Sequence, residues 1–372
     1  MLFAMAWVGG AASMEQIMLA MKVDSLASAS FISGMVTFAK IVGTFGAAWL
    51  AVKLGVKYAF LVSSLLIAIG IFTPMSPNYE WLLLSRFLMG LGGAFMIVYF
   101  NPIVMQFFTV EERPAINGLN AVAFNVGTAI ILWFMSDINT LTGGWKESLI
   151  VFSVMSFVLA AIWLLVKFNV DQTSGSTSEP AASYSYLEGL KDKFNWVYGL
   201  TYAGLLTFYI CLFTFYPQAG ISQSKWVIGF GIIGTFAGIF YSKKFPKRIP
   251  IIRWSGLMIT LTIIGLSFSS SATVQIISAM LLGFFIFLPV TALVSIPHEL
   301  PNMTTARITV IFSLFYSISY LFSTVLLWLF GKMVDMNNGD FTQSFVLIAI
   351  VSTTFFIGSF FLPETAKQQG ES

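Results

Sequence analysis

Long apolar runs separated by short polar turns make up almost the whole chain. A membrane-crossing helix needs about 20 predominantly apolar residues. That length, laid along the sequence, predicts twelve spans: 1–21, 28–52, 58–75, 81–106, 115–136, 147–167, 195–216, 224–242, 251–270, 272–296, 306–331 and 342–362. Ser269, Ser270 and Ser271 alone separate the ninth from the tenth, and glycines from Gly229 to Gly238 dilute the eighth. The connection over 168–194 differs in kind. It holds Asp171, Ser174, Gly175, Ser176, Ser178, Glu179, Pro180, Ser183, Lys191 and Lys193, the composition of a solvated linker. The chain thus divides into a first bundle of six spans over 1–167, the linker over 168–194, and a second bundle of six with a short tail over 195–372.

Composition narrows the class. Of 372 residues, 57% are hydrophobic and 9% charged, and the mean hydropathy is +0.86. A soluble domain carries about 25% charged residues. A soluble enzyme, a nucleic-acid-binding protein and a disordered chain are excluded. One cysteine, Cys211, and one histidine, His298, supply neither an internal disulfide nor a metal site, and no cofactor is expected. Met1 to Ala12 is apolar with no basic stretch ahead of it, so it reads as the start of the first span and not as a cleaved signal peptide.

Charge sets an orientation. With the first residue in the cytoplasm, thirteen basic residues fall on the inner side: Lys53, Lys57, Arg113, Lys167, Lys191, Lys193, Lys243, Lys244, Lys247, Arg248, Arg253, Arg307 and Lys367. Four fall outside: Lys22, Lys146, Lys225 and Lys332. Both termini and the linker are therefore expected in the cytoplasm, in an inner or plasma membrane.

The halves repeat. Gly143-Gly144-Trp145-Lys146-Glu147-Ser148-Leu149 opens span 6, and Gly339-Asp340-Phe341-Thr342-Gln343-Ser344-Phe345 opens span 12. Basic turns, Lys53 to Lys57 and Lys243 to Arg248, follow spans 2 and 8. Short turns ending in Arg113 and Arg307 follow spans 4 and 10. Two six-span halves in one order imply a parallel repeat about an axis along the membrane normal.

Four segments then carry a family resemblance. Span 4 reads Arg86-Phe87-Leu88-Met89-Gly90-Leu91-Gly92-Gly93, and the turn after it reads Glu111-Glu112-Arg113-Pro114-Ala115. Leu362-Pro363-Glu364-Thr365 closes span 12. In the turn after span 2, Lys53, Gly55 and Lys57 fit the later positions of G-x-x-x-D-[RK]-x-G-[RK]-[RK], while Ala48, Val52 and Val56 depart from it. With these segments the chain resembles the major facilitator superfamily along essentially its whole length, nearest its cyanate/nitroimidazole permease branch. The exporter motif of span 5 lacks its proline over Gly118 to Gly127, and the nitrate-porter arginine of span 8 has no counterpart. The resemblance implies an all-α membrane protein of twelve transmembrane helices, arranged as two pseudo-symmetric six-helix bundles. It also implies secondary active transport by alternating access, a central cavity lined by spans 1 and 4, and gating loops at Lys53, Gly55, Lys57, Arg113 and Arg307.

Charges inside spans carry the candidate mechanism, because each costs at least about 2.5–3.5 kcal/mol there unless paired or hydrated. Glu15, Lys40 and Arg86 lie well inside. At 1.5 Å per residue, Glu15 is about 10 Å from the end of span 1 and Arg86 about 9 Å from the start of span 4, a similar depth. Glu15 is expected to be the proton-coupling carboxylate, with Arg86 or Lys40 as the cation that tunes it. A permanent ion pair of Glu15 with Arg86 or Lys40 is the structural alternative, and direct solute contact is a third.

The surplus cation points to an anionic solute, with Lys40 and Arg86 as contacts. Further solute-binding candidates are Asn120 and Asn125 on span 5, Tyr202 and Tyr209 on span 7, and Tyr316 and Tyr320 on span 11. Such residues more often make an interhelical hydrogen bond than a solute contact. His298 and Glu299 suit a polar helix end or a proton relay. The function expected is proton-coupled movement of a small organic solute. A multidrug exporter and a transport-inactive sensor or scaffold stay open. Expected partners are the solute, a proton or else sodium, and the lipid bilayer, with no nucleic acid and a monomeric chain.

Overall fold

The computed structural model describes residues 1–109, 112–168, 184–301, 303 and 305–365. Among these, ten helices are long and apolar enough to cross a membrane. A bent pair, Leu2–Ala12 and Met14–Met21 with 61° between them, and a shorter apolar segment, Thr342–Gly358, occupy the places of spans 1 and 12. Backbone contacts divide the chain into two compact units, Met1–Ala182 and Ser183–Ser372.

In the first unit, α1 (Leu2–Ala12) is buried on every side from Leu2 to Ala11, as expected of a helix that is apolar all round. It breaks at Ser13 into α2 (Met14–Met21), which buries only Met14 and Ile17. The short α3 (Leu26–Ala29) begins at Ser25, whose hydroxyl accepts from the Ser28 N–H. Spans 2 and 3 run on as α4 (Phe31–Ala68), kinked at Gly55. There φ is 73°, a left-handed conformation that glycine adopts without steric cost. Next come α5 (Tyr79–Phe107), capped by Asn78, then α6 (Arg113–Thr142) and α7 (Trp145–Leu164). Contact between α4 and α5 depends on missing side chains: a Cβ on Gly90 would stand 2.9 Å from the Val36 carbonyl, and one on Gly92 2.6 Å from that of Ser63.

The second unit holds α8 (Tyr186–Lys191), α9 (Lys193–Thr214), α10 (Lys225–Lys244), α11 (Ile249–Phe268), α12 (Ala272–Phe287), α13 (Val290–Glu299), α14 (Thr305–Met336), α15 (Thr342–Ser352) and α16 (Thr354–Gly358). Helix α8 lies within the stretch read from sequence as the solvated linker. Ser185 and Glu188 form a reciprocal capping box, which satisfies two N-terminal donors and nucleates the turn. Three of the glycines that weaken span 8 in hydropathy, Gly231, Gly234 and Gly238, pack against Phe287, Phe284 and Leu288. Side chains at Gly234 and Gly238 would strike the carbonyls of Phe284 and Leu288. Span 10 comprises α12 and α13, which part at Leu288 and Pro289.

The units repeat one pairing order. Helix α1 packs on α6 as α9 packs on α14, and α4 packs on α5 as α10 packs on α12.

Candidate functional site

Two side-chain clusters, one in each unit, contain most of the predicted solute and proton residues. The first is built on α1. Arg86 of α5 is only 1% exposed. Its Nη1 donates to the Ala6 carbonyl at 2.9 Å, its Nη2 to the Trp7 carbonyl at 2.8 Å and its Nε to the Ile32 carbonyl at 2.9 Å. Three main-chain acceptors on two helices thus compensate the buried guanidinium. Gly10 makes room for it: a Cβ there would stand 2.6 Å from Nη1 and 2.8 Å from Cζ.

This arrangement corrects the expected Glu15–Arg86 pair. The break at Ser13 turns Glu15 onto α2, where it is exposed. The main chain of α1 and α4 takes the place at Arg86 that the carboxylate was expected to fill.

Lys40 of α4 is 2% exposed and sits inside a ring of aromatic side chains. Its Nζ lies 4.2 Å from the centroid of Trp7, 5.1 Å from that of Phe3 and 5.8 Å from that of Phe124. The rings also touch one another, with centroids 5.8 to 6.4 Å apart. Desolvated cation–π contacts are worth about 2 kcal/mol or more. Gly93 permits the cage, because a Cβ there would run into the Phe3 ring. Trp7 joins the two buried cations: its carbonyl binds Arg86 and its ring covers Lys40. Asn125 is buried on α6 beside Phe124, whereas Asn120 is exposed.

The second cluster lies on the seam of α9 and α14. Phe315 is its hub, with ring centroids 4.3 Å from Tyr198, 5.0 Å from Tyr202 and 5.0 Å from Tyr316. Tyr316 stacks on Tyr320 at 6.3 Å. Tyr209 meets Phe213 and Phe287 edge-on. Tyr202 and Tyr316 thus share the Phe315 ring, Tyr320 joins them through Tyr316, and Tyr209 packs against Phe213 and Phe287.

Tyr198 is an addition. Its hydroxyl donates to the Leu293 carbonyl at 2.9 Å, tying α9 to α13. Its position, four residues before Tyr202 and so on the same helix face, is the signal that points to it. The seam itself is closed by Ser319, which donates to the Gly199 carbonyl, and by Thr207, which bonds Ser323.

The predicted gating residues have separate settings. Lys57 donates to the Leu164 carbonyl at 3.2 Å, while Trp163 donates to the Lys57 carbonyl at 3.0 Å, fastening α4 to the end of α7. Lys53 lies over the Trp49 ring at 4.6 Å. Arg307 pairs with Asp192 at 3.5 Å and covers Tyr184. The side chain of Arg113 lies outside the described residues. An unforeseen network gathers in the second unit. Arg248 grips Glu299 through Nη2 at 2.7 Å and Nε at 3.1 Å, and Thr365 donates to Glu299 at 2.6 Å. Glu364 accepts from the main-chain N–H groups of Arg248 and Ile249. These residues are more than fifty positions apart in places, so no local pattern reveals them. His298 stands beside the network, its ring 5.4 Å from that of Phe312.

Comparison with known proteins agrees with this architecture. The sequence model of the Major Facilitator Superfamily matches residues 1–324. An uncharacterized protein of Campylobacter jejuni is 27% identical over 257 residues, 65% of this chain and 79% of that protein. The galactose-proton symporter of Escherichia coli K12 is 30% identical over 132 residues, which cover 35% of this chain and 27% of the symporter. Among solved structures, the inward-open xylose transporter XylE of E. coli superposes with a TM-score of 0.77 at 14% identity, covering 100% of this chain and 95% of XylE. The fucose:proton symporter FucP of E. coli gives 0.63 at 17% identity, covering 98% of each chain. At those identities the structural likeness concerns the fold. With the sequence match running from the first residue through most of α14, the chain belongs to the Major Facilitator Superfamily: it is a multi-pass membrane transporter and not an enzyme.

Proposed function

We propose that this transporter moves a small organic anion together with a proton, by alternating access of its two six-helix halves. The observation that carries the reading is Lys40, an ammonium 2% exposed within a cage of three rings in the middle of a span. An ammonium inside a span offers positive charge to an anionic solute that reaches it. Arg86 serves another end in this reading. Its charge is already met by three carbonyls, so it positions α1 and does not contact solute. Proton coupling is supported by the related galactose-proton symporter and by the shared fold of FucP, itself a proton symporter. The distribution of Lys and Arg supports cytoplasmic termini in a plasma or inner membrane. The chain acts alone.

The tyrosine cluster favours a second reading, a neutral hydroxylated solute bound by Tyr202, Tyr209, Tyr316 and Tyr320. Proteoliposomes loaded with a pH-sensitive dye separate the two. Lactate, succinate, galactose and tetraphenylphosphonium would be offered in turn. Luminal acidification with a carboxylate supports the anion reading. Acidification with galactose alone supports the second reading, and a response to the lipophilic cation alone contradicts both.

A further inference from the structure

Helix α8 is fixed by one face and presents the other outward. Gly189 lies so close to α14 that a Cβ there would stand 2.7 Å from the Leu314 Cδ1 and 2.8 Å from the Val310 Cγ1. The buried Asn195 side chain donates to the Gly189 carbonyl at 2.8 Å. Just past the helix, Asp192 pairs with Arg307. With these contacts in place the helix cannot roll its outer face inward.

That outer face is apolar and basic. Leu187 is 65% exposed, and Leu190 and Lys191, both exposed, flank it at helical spacings of three and four. Trp196, also exposed, continues the patch, for its indole N–H donates to the Leu190 carbonyl at 2.8 Å. Lys193, exposed as well, is the first residue of the membrane-crossing helix α9. Glu188 is the one acid of α8. Its carboxylate is turned to the Ser185 main-chain N–H at 2.7 Å and hydroxyl at 3.1 Å, closing the capping box.

We propose that the outer face of α8, together with Trp196 and Lys193, is a docking surface for anionic phospholipids of the leaflet in which it lies. The assignment is independent of solute, proton and the side of the membrane.

Placement and charge argue for lipid as the occupant. The membrane-crossing part of α14 begins at Arg307, and α8 packs on Val310 and Leu314, one and two turns further in. Only Asp192 separates α8 from α9. The helix therefore lies at the boundary of the hydrocarbon. There the leucines reach acyl chains, the indole sits at the level of the headgroups, and the lysines face phosphate. The apolar side chains suit any lipid, so the two lysines supply the choice. Two basic residues near an anionic surface favour it by about thirtyfold together.

A nitroxide on Leu187→Cys reads the contact and keeps that position apolar. Cys211, the chain's one native cysteine, is buried. The full chain would be placed one copy per nanodisc, in phosphatidylcholine with or without phosphatidylglycerol. Access of a water-soluble nickel chelate to the label is then measured by power saturation. Access should fall several-fold when phosphatidylglycerol is present. The fall should be absent in the Lys191→Gln, Lys193→Gln double variant. High salt should reverse it with both lysines intact, so the result does not depend on how well the double variant folds. Equal access in the two lipids overturns the proposal, as does a difference that survives both substitutions. A fall caused by inorganic phosphate in phosphatidylcholine alone overturns it in favour of a free-anion site. Protection that appears only with two copies per disc overturns it in favour of self-association.

Discussion

Arg86 and Gly10 are a matched pair. The guanidinium occupies the volume that a side chain at position 10 would need, and its three nitrogens each donate to a carbonyl at 2.8 to 2.9 Å. Hydrogen bonds to a charged group contribute about 1.5–3 kcal/mol each. Lysine lacks the planar fork that reaches all three acceptors. Arg86→Lys should therefore cost about 3 kcal/mol or more, and Gly10→Val should cost at least as much by displacing the guanidinium. Thermal unfolding in detergent checks both, with a midpoint several degrees lower expected for each. Glu15→Gln, which breaks no contact at Arg86, should leave the midpoint unchanged.

Lys40 and Arg86 were legible as exceptional because charges stand out in apolar spans. Their surroundings were not. Every residue carries a carbonyl, so sequence does not mark Ala6, Trp7 and Ile32 as acceptors. Phe3 and Phe124 are two of 38 phenylalanines with no pattern to connect them. The four tyrosines were legible because spacings of seven and four place side chains on one helix face.

Among the elements, the glycine-rich α10 gives a direct contrast. Gly229 has open space where a Cβ would stand, whereas one at Gly234 would strike the Phe284 carbonyl of α12. Alanine in an open helix position is favoured over glycine by about 1 kcal/mol, and overpacking costs about 1–3 kcal/mol. Gly229→Ala should leave the unfolding midpoint level or raise it, while Gly234→Ala should lower it and reduce the yield of monodisperse protein. The apolar runs placed the spans closely, because helix length in a membrane follows hydrocarbon thickness. The bend at Ser13 and the division of span 10 were hidden, since apolar residues continue through both.

Helix α8 was hidden by its polar composition, although Ser185 and Glu188 have capping-box spacing. The Ser185 main-chain N–H and hydroxyl hold the Glu188 carboxyl below its ordinary value of 4.5. A depressed carboxyl stabilises the fold above the unfolded value and loses that contribution as pH falls through the folded value. Protection of the α8 amides from hydrogen exchange should therefore be complete at neutral pH and fall below pH 4.5. In Glu188→Gln the protection should be weaker at neutral pH and insensitive to acid.

At the scale of the whole molecule, the repeated pairing of α1 with α6 and of α9 with α14 gives each half the frame for one cluster: cations and aromatic rings in the first, tyrosines in the second. Orientation is open to a direct check. Cys211 is buried, so a cysteine introduced at an exposed position reports alone. A membrane-impermeant maleimide on intact cells should label Lys146→Cys and spare Lys191→Cys until the membrane is opened, if both termini lie inside.

Coupling to protons is the central claim, and accumulation tests it most directly. Proteoliposomes would be given a carboxylate found to move, with the lumen alkaline and the outside acid, in the presence and absence of a protonophore. The account predicts accumulation above the external concentration that collapses when the protonophore is added. Uptake that stops at equal concentrations, and is the same with and without the protonophore, would contradict it.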